Sequence, residues 1–368
     1  MKLKNYLLIA CTVVSVSLFA EENAEAVPND WKWSGVVGLN ASATGLVNWS
    51  AGGANNVSGV AFGKVRLLYD KNNLSWETNL DVEYGLTYLD QKYDKLQKSS
   101  DHLIFNTKFG WAFQPKWYLT ASAAFQTQFA LGKTYTGDDT PNPIVSNILA
   151  PSYTDLSVGI DWKPNDIFSV YLSPVAGRIT TAYISDRVNN KYKEQYPLED
   201  GGLRQALQEK NGTWHYTSEG DNGYAKKYGN VRAELGLTLK GGINWSYKDL
   251  KIITTVSLFT PYAWDKTKLY NMQIGGEEWI YSEQQMIDKF GSVEQGDYLG
   301  YRDNNRRFGN FDVDWDVAIS YQFLKCLNVT LSTSLKYYNG VKIADKDGNA
   351  AERVQFKSIL GLGVGYSF

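Results

Sequence analysis

Asp312, Asp314 and Asp316 stand at every second position, set between Phe311, Val313, Trp315 and Val317. Side chains two apart on a strand share a face, so an extended Phe311–Phe323 would align these carboxylates in one column. Carboxylates so close repel unless cations intervene. Lys336 on the following strand could supply one, and a bound Ca²⁺ with its several oxygen ligands is the alternative. A straight strand cannot wrap an ion, so lysine or arginine pairing is the expectation, with no metal and no cofactor. The same alternation sets Glu77, Asp81 and Glu83 opposite the row Leu74, Trp76, Leu80, Val82 and Tyr84. It sets Lys108 opposite Phe105, Phe109 and Trp111, and Arg232, Glu234 and Lys240 opposite Val231, Leu235 and Leu239. Arg353 and Lys357 alternate in the same way with Val354 and Phe356. Each charged set therefore shares a face that its apolar neighbours leave. If those faces turn inward on a closed sheet, the charges either pair to satisfy one another or form rings that select solutes.

Other candidates are weaker. The chain has 2 histidines. His102 follows Ser99, Ser100 and Asp101, and His215 lies in a long polar stretch. Nucleophilic catalysis needs serine, histidine and an orienting group in contact, which neighbours in sequence do not establish. No enzyme activity is expected. Asp345-x-Asp347-Gly348-Asn349 partly resembles a calcium loop but lacks the downstream glutamate, and Asp-Gly is ordinary hairpin chemistry.

The elements that must carry these charges are strands. Leu74–Leu89 alternates over a length well beyond the roughly 5–6 residues of an ordinary soluble strand. A tilted strand needs about 9–11 residues to cross lipid. Similar rows recur through the chain and finish at Val354–Phe368, giving about twelve strands. Pro174 and Gly177 interrupt one of them and suggest a bulge or an edge-like kink. Connections alternate between short turns, near residues 71, 115, 165, 247 and 326, and longer loops. The two longest, Asp186–Gly229 and Ala263–Asn310, are read as polar loops of about 44 and 48 residues. Leu203–Lys210 has the pattern of a helical turn or two, and Ser282-Glu283-Gln284-Gln285 is a capping box that predicts a short helix stopped by Gly291. The fold class is all-β, a transmembrane antiparallel barrel with short periplasmic turns and long extracellular loops. Trp117, Trp162 and Trp245 fall at the short-turn ends, where an aromatic girdle belongs.

Composition agrees. Aromatic residues make up 14 % of 368, with 12 Trp and 25 Tyr, which suits membrane interfaces. A net charge of -2 gives no electrostatic case for nucleic acid. A mean hydropathy of -0.36 is compatible with a barrel, because only half of each strand faces lipid. Lys2 and Lys4 followed by the apolar Tyr6–Ala20 read as a signal peptide within residues 1–26, cleaved after Ala20 or Ala26, with the barrel occupying 27–368. A lipoprotein site at Cys11 is the weaker alternative. After cleavage Cys326 is the one cysteine left, which leaves no internal disulfide.

Two stretches carry resemblances. The ending Tyr366-Ser367-Phe368 resembles the C-terminal aromatic signal that outer-membrane barrels present to their assembly machinery. Gly38-Leu39-Asn40 together with Asn48-Trp49-Ser50-Ala51-Gly52-Gly53-Ala54-Asn55 resembles the signature of a Bacteroidota outer-membrane family, domain of unknown function 3078. That resemblance implies a barrel and a phylum and brings no catalytic residues. The functional expectation is a narrow passive channel for small polar solutes in the outer membrane of a diderm bacterium. The alternative is a closed barrel whose extracellular loops meet a protein partner, and a lipid hydrolase is a remote third. Membrane lipid and the assembly machinery are the expected associates, with no nucleic acid.

Overall fold

The computed structural model describes residues 30–44, 55–135, 137, 142–195, 202–263, 265–302, 306–324, 327–344 and 350–367. The expected signal segment, the loop with Asn48, Trp49, Ser50, Gly52 and Gly53, the Asp345–Asn349 loop, Cys326 and Phe368 lie outside them. The strands begin with β1 (Trp31–Thr44), β2 (Asn56–Lys71), β3 (Leu74–Leu89), β4 (Leu96–Gln114) and β5 (Trp117–Thr127). The short β6 (Gly132–Lys133) and β7 (Ile144–Ser146) follow, then β8 (Ser152–Trp162) and β9 (Phe168–Thr181). Next come helices α1 (Asp186–Gln195) and α2 (Gly202–Lys210), β10 (Trp214–Ser218), β11 (Tyr224–Tyr228), β12 (Val231–Tyr247) and β13 (Leu250–Pro261). The remainder is β14 (Lys268–Ile274), β15 (Glu277–Ser282), α3 (Glu283–Phe290), β16 (Asp297–Tyr301), β17 (Asp312–Leu324), β18 (Leu327–Tyr337), the short β19 (Lys342–Ala344) and β20 (Ala350–Glu352), and β21 (Gln355–Ser367).

Twelve of these strands close an antiparallel barrel in the order β1-β2-β3-β4-β5-β8-β9-β12-β13-β17-β18-β21, with β21 pairing back onto β1. From β3 to β12 the register keeps the two faces apart. Glu77, Lys108, Ser122, Ser157, Ala176 and Gly236 form one row across neighbouring strands, polar or small throughout. One residue over, Trp76, Phe109, Ala121, Val158 and Val175 form the opposite row. Trp76 and Phe109 are 43 % exposed and Val158 50 %, and these apolar side chains belong to the outer face. A closed sheet that is apolar outside and polar inside satisfies its backbone internally, the condition for spanning lipid. This is a transmembrane barrel of the outer-membrane type. Among the described residues no helix is long and apolar enough to cross a membrane. At the short-turn end Trp117 lies 6.0 Å from Trp162, and Trp245 stacks on Tyr247 at 6.2 Å, as an interfacial girdle requires.

Several expectations need correction. From its sequence Val36–Val47 reads as a weak first strand; in the structure the first strand is Trp31–Thr44, which starts earlier because Trp31 and Trp33 pair with Tyr69 and Leu67. β4 begins at Leu96, inside Asp90–Ser100, which reads from its sequence as a polar loop, and a register shift opposite Gly85 and Leu86 lets it continue. Arg353 is not part of the barrel wall. It sits between β20 and β21, its Nε donating to the Ile343 carbonyl, because Val354 precedes the strand instead of belonging to it. The bulge expected at Pro174 is present, as a register shift between Val158 and Ile160 opposite β9.

The two longest loops are folded. They build a five-stranded sheet in the order β10-β11-β15-β14-β16, joined between loops where Tyr224 pairs with Ile280. Tyr270, Tyr281 and Met286 form its core, with Trp279 and Phe290 against them. A second small core, Ile184, Tyr192, Leu203 and Leu207 with Ala150, fastens α1 and α2. Helix α3 starts as its sequence indicates: Gln285 N–H donates to Ser282 Oγ, Gln285 Oε1 accepts from Ser282 N–H, and Gly291 ends it at φ 78.

The tilt of barrel strands makes their ends overhang. β4 runs on from Leu103 to Leu96 past the end of its pairing with β5, and β12 runs from Leu235 to Val231 past its pairing with β13. The β4 overhang is filled: Asp101 accepts the N–H groups of Phe129 and Ala130 and pairs with Lys98 at 2.9 Å.

Candidate functional site

Parity along each strand sends Asp155, Arg178, Arg232, Glu234, Asp312 and Asp314 into the barrel near its long-loop end. Arg178 on β9 grips both oxygens of Asp155 through Nε and Nη2, at 2.7 and 3.1 Å, and reaches Asp312 with Nη1 at 3.0 Å. Arg306 enters from the loop before β17. Its Nη1 and Nη2 take both oxygens of Asp312 at 3.1 and 2.9 Å, its Nε donates to Glu234, and Nη1 also donates to the Asn339 carbonyl. Arg306 and Asp312 are both only 3 % exposed. Two guanidinium groups thus flank the first aspartate of the acidic column. Burial by itself would lower the Arg306 pKa, but Asp312 and Glu234 outweigh it and hold the group above its ordinary value.

Asp314, one position further in, takes the Tyr338 hydroxyl at 2.5 Å and lies 3.5 Å from Lys336. Burial, and then the Asp314 charge, push the Tyr338 phenol well above its usual range, so it remains a donor. Its ring lies 5.9 Å from that of Tyr153 on β8. β8 and β18 stand nearly opposite in the strand order, so these rings meet across the mouth. Asp316 is exposed and has no ion-pair partner among the described residues. The column therefore divides: one aspartate locked, one shared, one open to the interior.

A second cluster lies toward the short turns. Lys108 sits 2.6 Å from Asp161, which Lys163 also approaches at 3.5 Å, and the Lys108 ammonium lies 5.0 Å from the centre of the Tyr171 ring. Lys240 pairs in register with Tyr171 and Ser257 and has no ion-pair partner among the described residues. On the β2–β4 wall Lys64 pairs with Asp81 and Arg66 with Glu77, both at 2.8 Å. His102 faces Asp81 at 3.3 Å, while Ser100 donates to Glu83 and not to the imidazole. That arrangement lacks the serine–histidine contact of a nucleophilic pair. His215 is on β10, far along the chain from these groups, and lines a rim cavity. Lys357 pairs in register with Ser334 and is exposed. Tyr366 lies in β21 opposite Val37, at the seam that closes the barrel.

The sequence reading missed Asp155, Asp161, Arg178 and Arg306. The first two had a signal, since they alternate with Leu156, Val158, Ile160 and Trp162. Arg178 follows the bulge, which breaks the count, and Arg306 belongs to a loop without any period.

Among curated proteins nothing matches the chain. Several solved barrels do at low identity. The translocator domain of the autotransporter NalP from Neisseria meningitidis is 11 % identical, with 91 % of this chain and 88 % of that one covered at a TM-score of 0.34. An outer membrane channel from Pseudomonas putida F1 is 14 % identical, covering 94 % and 98 % at 0.35. The porin NanC is 6 % identical, covering 90 % and 97 % at 0.33. At these values the likeness is one of barrel outline, and the architecture of this chain rests on its own register. A family profile described as "Protein of unknown function (DUF3078)" matches residues 41–132, from the end of β1 to the start of β6.

Proposed function

We propose that the protein is a narrow passive channel for small polar solutes. One observation carries the reading: Lys64 and Arg66 point inward, yet their side chains are 54 % and 49 % exposed. Side chains that face the inside and still meet water-sized space imply an interior that is not filled. Asp316 and Lys357 are exposed on the same inner surface and would set the field that a passing ion meets. The locked group of Arg178, Arg306, Asp312 and Glu234 would narrow the outer mouth on one side.

The test is single-channel conductance of the refolded barrel in a planar bilayer. Discrete steps are expected, and Asp316→Asn should move the reversal potential toward anion preference while leaving the steps. A correctly folded barrel that stays electrically silent overturns the reading. A second reading, a barrel that presents its loops to a protein partner, is favoured by the folded cap, where Tyr298 and Leu299 of β16 are exposed. Co-purification in mild detergent tests it, and a lone monomer speaks against it.

A further inference from the structure

β12 reaches the outer rim with no strand on one side. Its pairing with β13 ends at Gly236 opposite Pro261, while its pairing with β9 continues to Val231. Tyr262 N–H reaches the Leu235 carbonyl, which shows that the Leu235 backbone faces the gap. Backbone direction alternates along a strand, so the N–H and C=O groups of Ala233 and Val231 face it too. The β4 overhang, of the same origin, is filled by the chain around Asp101 and Lys98. The β12 overhang instead borders a cavity of about 450 Å³, walled by Trp214, Tyr262 and Ala263 and by outward-facing Val231 and Leu235.

The inner end of this cavity is lined by two arginines, Arg232 and Arg306, with one carboxylate, Glu234, between them. Arg232 gives its Nε to Glu234 and its Nη1 to the carbonyls of Asn211 and Gly212. Its Nη2 has no hydrogen-bond partner among the described residues, and Arg232 is one of the residues that line the cavity. Depth follows from the opposite end of the strand, where Trp245 and Tyr247 mark the inner interface. At about 3.3 Å per residue and a tilt of about 40°, a lipid band about 25 Å tall takes roughly ten residues. Counted from Trp245, the band ends near Leu235. The apolar lip of the notch therefore lies at the acyl layer and Arg232 at headgroup depth.

We infer that this notch binds a single-chain amphiphile with an anionic head, a carboxylate or phosphate. The head takes the free N–H groups of Arg232 and the strand edge at Ala233, and the chain leaves along Val231 and Leu235 toward the outer leaflet. The volume lies in the lower part of the range for small-molecule sites, roughly 300–1,000 Å³, with room for one chain. This site belongs to the rim and stands whether or not the lumen conducts.

The experiment places the barrel in phosphatidylcholine nanodiscs and adds palmitate carrying a photoreactive diazirine, with labelled peptides mapped by mass spectrometry. Labelling is expected to concentrate on 231–235 and 262–263. Ala233→Phe, which fills the gap, should cut it at least tenfold. Ala121→Phe, on a plain lipid-facing groove beside Phe109 and Leu156, should leave it unchanged. Arg232→Gln should raise the palmitate concentration for half-maximal labelling about tenfold and leave labelling by a diazirine phosphatidylcholine as it was. If Ala233→Phe does not fold, as judged by heat-modifiable gel mobility, Ala263→Phe closes the same space from the other side. Labelling spread evenly around the lipid face, or indifferent to both fillings and to Arg232→Gln, overturns the proposal.

Discussion

Removing the Arg306 guanidinium leaves the Asp312 and Glu234 carboxylates buried with fewer counter-charges, and strips the Asn339 carbonyl of a donor. Breaking such a buried group from one side costs about 3–5 kcal/mol. Arg306→Ala should therefore lower the stability of the refolded barrel by about 3 kcal/mol, read from denaturant unfolding in detergent. Arg306→Lys should rescue little, since one ammonium cannot span Asp312 and Glu234 as the planar fork does. Asp316→Asn, which breaks no pair, should unfold with the parent. At this scale the sequence was partly legible. Asp312, Asp314 and Asp316 could be read as one inward column because period two is a property of the strand itself. Which of them would be locked could not, because Arg306 and Asn339 arrive from loops whose positions no local pattern sets. Lys336, adjacent on the next strand, was foreseeable; Arg178, three strands away in the wall, was not.

Strand ends and loop elements obey more local rules. Gly236 marks the place where β12 parts from β13, and a Cβ there would run into the Thr260 carbonyl and Pro261 Cα. Backbone cannot step aside as a side chain could, so Gly236→Val should yield protein that lacks heat-modifiable mobility on gels. Ser282 caps α3 and is itself capped by Gln285, so Ser282→Ala should cost about 1 kcal/mol locally. Hydrogen exchange should rise over 283–290 while the barrel strands stay protected. The capping box was readable because it is written within four neighbouring residues. The strands of the cap were not, since β10, β11 and β16 are only five residues each and the two loops meet in one sheet through a single pair, Tyr224 with Ile280. Polarity in the two long loops therefore signalled exposure and concealed order.

For the molecule as a whole, the number of strands could be counted in advance because each of the twelve repeats one pattern and each turn resets it. Closure was also implied, since a sheet in lipid has no other way to hide its edges. The stagger that leaves β12 overhanging was hidden, as tilt is a property of the closed ring and of no single strand. From Lys2, Lys4 and the apolar Tyr6–Ala20 we propose a removable leader before the barrel. Protein recovered from washed outer membranes should begin at Glu21 or Val27 by N-terminal sequencing. The cap has a further meaning. Its β10–β11 hairpin leaves from between β9 and β12, and β14, β15 and β16 from between β13 and β17. Tyr224 opposite Ile280, Gln285 on the Gly220 carbonyl and Lys289 on the Asp221 carbonyl tie the two together. Until the second loop has crossed to the cell exterior, the first has only its two helices and a two-stranded hairpin tied to α2 through Glu209, without the other three strands of the sheet. Resistance of the cap to an external protease should thus act as a timestamp: it is expected only once residues 262–311 have been delivered, and it dates the joining of the two loops for each copy at the cell surface.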